Sequence, residues 1–162
     1  MTNTPNEPVH LRPAREEDLP TLVEILHAAF EEYRGRLDPP SGVHNETAET
    51  LQQKLRKGGA VLALLNGEAA GCVFFEQRGP SMYLGRLSVL PHFRRQGVAR
   101  VLVDYVEQRA RERRCSGVEL GVRTALPRLI DFYTRLGYRP FQYRSHDGYS
   151  EPTYVLMKKD LS

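Results

Sequence analysis

The chain has 162 residues, of which 40% are hydrophobic and 27% are charged, and its formal net charge is +3. This composition is typical of a single globular domain and excludes a disordered or fibrous protein. No apolar stretch of the sequence approaches the roughly 20 residues that span a bilayer, so we expect no membrane partner.

The first part of the chain predicts one strand and two helices. We expect residues 1–8 to form a flexible tail, because they have neither the basic nor the apolar segment of a secretion signal. A short strand is predicted at 9–14. Apolar residues recur at helical spacing over 15–34, and a second helix is predicted at 46–57, where two glycines end it. Residues 35–45 contain prolines and glycines and are predicted to form a loop.

The centre of the chain predicts three successive strands and a long helix. An Asn-Gly pair separates the apolar runs 60–65 and 69–76, a pattern that favours a β-hairpin. Residues 81–90 are predicted to add a third strand. The helix predicted at 97–113 has apolar residues on one face and charged residues on the opposite face.

The last part of the chain predicts a strand at 117–122, a helix at 125–136 and two final strands. These strands, near 138–144 and 152–158, flank the loop "SHDGYSEP". The complete order of elements is β-α-α-β-β-β-α-β-α-β-β. This order predicts a mixed sheet with helices on its faces.

The sequence "RRQGVA", residues 94–99, stands where a predicted strand meets the start of the long helix. Backbone N–H groups at a helix start have no helical partner, and the helix dipole adds positive potential there. Gly97 lets a ligand approach the backbone, while Arg94 and Arg95 can neutralise phosphate charge. This suits a diphosphate, although neither GxxxxGK[ST] nor GxGxxG occurs in the sequence. On local features alone, a solvated loop with a turn glycine remains the alternative.

Three segments together resemble the motifs of one family. Residues 94–99 resemble the (Q/R)xxGx(G/A) acetyl-CoA motif of the GNAT family of N-acetyltransferases. "RLSVLPHF" at 86–93 resembles the family's fourth strand, and "FYTRLGYRP" at 132–140 resembles the end of its fourth helix. The element order matches over 9–160. The resemblance implies one domain over 9–162 of the α/β (α+β) class, with a mixed, mainly antiparallel sheet of about seven strands. It also implies about four helices on the faces of the sheet, and splayed fourth and fifth strands.

The resemblance implies acetyl-CoA as co-substrate and no metal. In the family, the pantetheine arm lies between strands four and five and pairs with the strand-four backbone, which maps to Leu87, Ser88 and Val89. The residues expected around the diphosphate are Arg94, Arg95, Gln96, Gly97, Val98 and Ala99. An acceptor amine would attack the thioester directly, without a covalent acyl-enzyme. The sequence contains no GxSxG nucleophile pattern.

Tyr133 matches the family tyrosine that protonates or hydrogen-bonds the leaving thiolate. A thiol has a pKa near 8.5, so a nearby phenol can stabilise or protonate the departing sulfur. The alternative is that Tyr133 only packs against the sheet beside Phe132 and Leu136. Spacing alone favours packing, and the match to the family motif favours catalysis.

The sequence departs from the family at two points. Leu126 occupies the position where the family often has an asparagine that contacts pantetheine, and the predicted strand 81–90 has no acid to serve as general base. Glu76 is the nearest acid in the sheet, with His146 and Asp147 as alternatives. The need for a base depends on the acceptor, because freeing a lysine-like amine costs roughly 4 kcal/mol at neutral pH and an α-amine only about 1 kcal/mol.

The acceptor is expected between two irregular segments, 33–42 and 143–152, which contain many polar residues suited to recognising small molecules. The residues predicted to contact it are Tyr33, Asp38, Ser41, His146 and Tyr149. Two loops that close a pocket favour a small amine or an amino acid over an extended protein tail. The alternative is that both segments are ordinary surface loops.

Other functions and partners are possible from the sequence. A non-catalytic acyl-CoA-binding domain on the same fold is one alternative, and a protein or peptide N-acetyltransferase is another. The basic run 109–114 would suit nucleic acid, but a solvated helix end explains it, so we expect no nucleic-acid partner. Cys72 and Cys115 form no CxxC pair, and no histidine cluster has metal-ligand spacing. These features predict a cytoplasmic protein, with a homodimer as an open possibility.

Overall fold

The structure is a computed structural model that describes residues 8–161. Residues 1–7 of the predicted tail lie outside the described residues. The strands are β1 His10–Pro13, β2 Gly59–Leu65, β3 Glu68–Arg78, β4 Ser81–Val89, β5 Gly117–Arg123, β6 Arg139–Arg144 and β7 Tyr154–Asp160. The helices are α1 Leu19–Phe30, α2 Ala48–Lys57, α3 Val98–Glu112 and α4 Pro127–Arg135.

The strands form one seven-stranded sheet in the order β1-β2-β3-β4-β5-β7-β6. All neighbouring strands are antiparallel except β4 and β5, which run parallel and are joined through α3. The predicted fold class is therefore confirmed. None of the helices in the described part of the chain is both long and apolar enough to cross a membrane.

The parallel pairing of β4 with β5 is short. It consists of Ser81 with Gly117, Met82 with Val118, and Tyr83 with Glu119. From Leu84 onward, β4 keeps β3 as a neighbour on one side but pairs with no described strand on the other. The splay expected from the family resemblance is thus present.

A β-bulge lies in the part of β4 that has separated from β5. The register with β3 shifts between Cys72 and Phe74, whose partners are Ser88 and Gly85. Two residues of β4 therefore face one residue of β3, and Arg86 takes a positive φ of 54°. Bulges of this kind bend a strand and redirect its side chains.

Two buried clusters lie on opposite faces of the sheet, because neighbouring residues of a strand point to opposite sides. Val73 and Phe75 of β3 belong to the cluster that α3 covers. Cys72 and Phe74 belong to the cluster that α1 and α2 cover. Leu22 and Leu26 of α1 and Leu102 and Val106 of α3, which contributed to the predicted helical periodicity, belong to these clusters.

Most predicted elements are confirmed, with shifts at their ends. The first helix is shorter than the predicted 15–34, because 3-10 turns over Glu16–Asp18 and Glu31–Tyr33 flank α1. The predicted loop 35–45 contains a further 3-10 turn at Gly42–Asn45. The Asn-Gly hairpin is confirmed, since both residues have positive φ between β2 and β3.

Gly71 of β3 lies where the sheet packs against the start of α3. A Cβ at this position would lie 2.6 Å from the Ser88 carbonyl oxygen and 3.2 Å from Val98 Cγ1. We therefore expect Gly71→Ala to lower the free energy of unfolding by about 1–3 kcal/mol through overpacking. Urea denaturation would measure this, with Gly121→Ala as control, because a Cβ at Gly121 meets no atom closer than 3.7 Å. Equal stability of the two variants would contradict the expected clash.

Candidate active site

The turn before α3 carries a row of backbone amides without partners. The first backbone hydrogen bond into α3 runs from the Val101 N–H to the Gly97 carbonyl, at 3.1 Å. Within the described chain, no amide of residues 95–100 donates to a protein acceptor. Arg95 and Gly97 have positive φ values of 65° and 81°, a backbone form that can create a concave group of N–H donors. These amides and the positive end of α3 fit a diphosphate.

The two arginines of this turn have different surroundings. Arg94 donates to the Val89 carbonyl at 3.3 Å and to the Ala29 carbonyl at 3.0 Å, and it pairs with Glu32. It therefore ties the turn to the ends of β4 and α1. Arg95 is exposed and forms no ion pair with a described residue, so its guanidinium is the one left to neutralise a bound anion.

The other predicted residues of the turn contribute in different ways. Val98 is buried in the core, and Ala99 is half-buried. Gln96 is exposed, and its side-chain amide donates to the His92 carbonyl at 3.4 Å. The backbone, rather than these side chains, is what the turn offers to a ligand.

A cavity of about 510 Å³ opens where β4 and β5 separate. Its walls come from β4, β5, β7 and α4, and from loops near residues 37–42 and 145–147. Within residues 8–161, no group of His, Cys, Asp and Glu side chains is arranged to hold a metal ion.

The end of β4 borders this cavity at the positions predicted for pantetheine. Leu87 lines the cavity, and Ser88 is buried with its hydroxyl donating to the Arg86 carbonyl at 3.1 Å. Leu87, Ser88 and Val89 have no strand partner on the β5 side among the described residues. Their backbone is thus placed for strand-like pairing with an extended ligand arm.

Tyr133 reaches the cavity from α4 although its side chain is largely buried. Its ring packs edge-on against Phe132 and Tyr138, with centroids 5.1 Å and 5.8 Å away. Its hydroxyl makes no hydrogen bond to any described residue, and the side chain lines the cavity. Burial raises the pKa of Tyr133 well above its ordinary value, and nearby Tyr83 adds to the shift. The phenol therefore stays protonated at neutral pH and can donate a hydrogen bond.

Glu76 lies outside the larger cavity. It stands opposite Tyr83 in the β3–β4 pairing and forms an ion pair with Arg78 at 3.1 Å. It lines a separate cavity of about 230 Å³, which shares Tyr83, Gly85 and Arg86 with the larger one. The β4 residues thus stand between Glu76 and the space beside Tyr133.

The structure brings only some of the predicted acceptor residues into the cavity. Ser41 and His146 line it. The Tyr149 hydroxyl donates to Asp38 Oδ1, so these two residues join the predicted loops to each other rather than line the cavity. Tyr33 packs edge-on against Phe30, with ring centroids 5.6 Å apart, and does not line the cavity.

His146 is held by Thr153. The Thr153 hydroxyl oxygen accepts the His146 backbone N–H at 2.9 Å and also contacts the ring Nδ1. Its own proton can then be donated to Nδ1, which leaves the ring proton on Nε2. Burial lowers the pKa of His146, and the Arg123 guanidinium lowers it further, while Asp147 acts in the opposite direction. The lowered pKa favours the neutral imidazole, and the contact with Thr153 occupies its Nδ1.

Sequence reasoning missed two charged residues of the cavity, Arg86 and Arg123. Each lies in a strand with alternating residues. This alternation predicts the side of the sheet on which the arginine lies, but not which residues it meets there. Arg86 also occupies the β-bulge, which no local residue pattern announces. A search for charged residues on the two strands expected to splay would have found both.

Comparisons with known proteins agree with this geometry. A family model described as "Acetyltransferase (GNAT) family" matches residues 19–138. The ribosomal-protein-S18-alanine N-acetyltransferase from Escherichia coli is 18% identical with a TM-score of 0.78, covering 96% of this chain and 95% of that one. PaiA N-acetyltransferase from Thermoplasma acidophilum, solved with coenzyme A, is 17% identical with a TM-score of 0.79, covering 95% and 99%. An Elizabethkingia anophelis GNAT acetyltransferase with acetyl-CoA bound is 20% identical with a TM-score of 0.73, covering 94% and 98%.

Gly97 offers a direct test of the turn as an anion site. Gly97→Glu should weaken coenzyme A binding at least about tenfold, because a carboxylate beside the amides repels the diphosphate and blocks its approach. Isothermal titration calorimetry would measure the affinity. Gly79→Glu is the matched control, since Gly79 also has positive φ and open space around it but lies at the opposite end of β4. Unchanged affinity in Gly97→Glu would contradict the assignment.

Proposed function

Because the chain belongs to the acetyltransferase (GNAT) family, we propose that it is an acetyl-CoA-dependent N-acetyltransferase. The acetyl group moves directly onto the primary amine of a small molecule or an amino acid. One observation carries this proposal. The unpartnered amides of residues 95–100 stand beside the gap between β4 and β5, and this gap opens onto a cavity that contains the Tyr133 side chain.

The donor would be held by backbone rather than by charged side chains. The amides of 95–100 bind the diphosphate, with Arg95 neutralising part of its charge. The backbone of 87–89 pairs with the pantetheine arm and directs it toward the cavity. When bound, acetyl-CoA supplies a thioester carbon that an amine can attack without an acyl-enzyme.

Tyr133 serves the departing sulfur in this proposal. Its raised pKa makes complete proton transfer to a thiolate unfavourable, because the thiol pKa near 8.5 is lower than that of the phenol. A buried phenol is instead an effective hydrogen-bond donor to the developing negative charge. Solvent then completes protonation of the thiolate. The position of Tyr133 in the cavity favours an enzyme over a non-catalytic acyl-CoA-binding domain.

The surroundings of the cavity limit how the acceptor amine loses its proton. Among its described lining residues, Asp147 is the one carboxylate, and it is exposed. His146 Nδ1 is occupied by Thr153. Glu76 would act only through water, across the β4 residues that separate the two cavities. We therefore propose an acceptor amine that enters largely neutral.

The loops over the cavity support a small acceptor. The hydrogen bond between Tyr149 and Asp38 joins the segments 33–42 and 143–152 above the cavity, and an extended protein tail would need an open groove there. A peptide N-terminus is the second candidate, because ribosomal-protein-alanine N-acetyltransferases share this fold. Two buried free cysteines, Cys72 and Cys115, support a cytoplasmic location.

A Tyr133→Phe substitution tests the proposed role of the phenol. With an amine panel as acceptors, we expect kcat to fall about 10²-fold, the usual effect of removing a hydrogen-bond donor positioned at developing negative charge. Coenzyme A affinity should not change, because the ring remains in place. Tyr143→Phe is the matched control, since Tyr143 is exposed on β6. An unchanged kcat in Tyr133→Phe would contradict the proposed role and show that Tyr133 only packs against the sheet.

The hydrogen bond between the loops makes a separate prediction for the acceptor. Tyr149→Phe should raise the acceptor KM about two- to tenfold, because one hydrogen bond contributes roughly 0.5–1.5 kcal/mol. Coenzyme A affinity should not change. Asp38→Ala should have a similar effect, and the double variant should be no worse than either single one. Additive effects would show that the two residues act independently of their contact.

A further inference from the structure

Two arginines line the larger cavity, Arg86 from β4 and Arg123 from β5. The charged residues that line it are Arg86, Arg123 and Asp147. Its other titratable lining residues are Tyr83, Tyr133, His146 and Tyr154. Asp147 is exposed, so the two guanidinium groups are the formal charges that line the inner part of the cavity.

Arg86 is fixed by a buried carboxylate that leaves its outer nitrogens free. Its Nε donates to Glu46 Oε2 at 2.7 Å, and the Glu46 side chain is only 4% exposed. Glu46 is also bound by Thr50 at 2.6 Å and lies 3.6 Å from Lys54. The Nη atoms of Arg86 have no hydrogen bond to a described residue, and Nη2 lies beside Gly42, where a side chain would crowd it.

Arg123 carries a charge that its surroundings compensate only partly. Its Nη2 donates to the Pro39 carbonyl, and its Nε is buried without a partner. No described carboxylate lies within ion-pair distance of it. Burial lowers the pKa of Arg123, although Tyr149 and Asp38 act in the opposite direction. A desolvated guanidinium of this kind is stabilised by an anion that enters the cavity.

Both arginines border the same loop over the cavity. Arg123 on β5 contacts this loop at Pro39, and Arg86 on β4 lies beside it at Gly42. A molecule under this loop therefore meets guanidinium groups on two sides. The His146 imidazole adds a polar group to the same cavity.

We infer that the acceptor carries a carboxylate, held by the guanidinium groups of Arg123 and Arg86, and is thus an amino acid or a related amino-carboxylate. Guanidinium and carboxylate match in charge and in planar geometry, and their paired hydrogen bonds are among the strongest in proteins. The same two cations disfavour the ammonium form of a nearby amine. The two guanidinium groups would therefore favour the neutral amine, which reduces the need for a general base. The inference rests on the proposed function and narrows its substrate class.

The test compares acids with their amides on the same protein. The probes are the N-acetyl derivatives of the twenty standard amino acids and the corresponding carboxamides, titrated by calorimetry into protein saturated with coenzyme A. At least one acid should bind about tenfold or more tightly than its amide, as expected for a carboxylate held by guanidinium. Arg123→Gln should remove this preference without changing coenzyme A affinity. Arg139→Gln, on the exposed strand β6, should retain it.

Arg86 needs a paired variant, because Arg86→Gln alone leaves the buried Glu46 carboxylate with Lys54 as its remaining cation. Arg86→Gln combined with Glu46→Gln removes one positive and one negative charge, so the local net charge is unchanged. This double variant should also weaken the preference for acids. The inference is overturned if no acid binds more tightly than its amide, or if Arg123→Gln keeps the preference.

The same probes separate this inference from the proposed function. Acetylation of amines with and without a carboxylate at equal kcat/KM would overturn the inference and leave the N-acetyltransferase in place. Absence of coenzyme A binding would overturn the proposed function. The acids and amides would then be titrated into the protein without coenzyme A. A preference for acids found there would still support a carboxylate site between Arg123 and Arg86.

Discussion

After Tyr83 and Glu119, β4 and β5 no longer pair, although they are neighbours in the sheet and are joined through α3. The bulge at Arg86 bends β4 in the region where the two strands have separated. Backbone groups along β4 therefore lack a strand partner and need another one. The cavity opens in the same place, so the unpaired backbone and the access to Tyr133 both depend on this separation.

The position of α3 links this gap to the proposed anion site. Val98 and Leu102 pack closely around Gly71, which brings the first turn of the helix against β3 and β4. Arg94 then ties the preceding turn to the ends of β4 and α1. The positive end of the helix and its free amides are thus held beside the gap by packing, and their electrostatic effect needs no charged side chain.

Local sequence patterns were sufficient for most of the fold. The Asn-Gly pair predicted the β2–β3 hairpin, and helical and strand periodicity predicted the order of elements that the sheet now confirms. Gly97 and the residues around it predicted the turn before α3, where Gly97 takes a positive φ of 81°. Errors lay at element ends, where 3-10 turns flank α1, and in the predicted loop 35–45, which contains a further 3-10 turn.

What each residue of the site faces was decided only by the tertiary structure. Asp38 and Tyr149 are 111 residues apart in sequence, and no local pattern predicts that they meet. Glu76 was the nearest acid along the sheet, yet the β4 residues separate it from the space beside Tyr133. Arg123 lines the cavity because the pairing of β5 with β4 ends at Glu119, four residues before Arg123. The sequence by itself therefore determined the helices, strands and turns, because these depend on neighbouring residues. The cavity and the residues that line it depend on where β4 and β5 pair and where they separate, which only the tertiary structure decides.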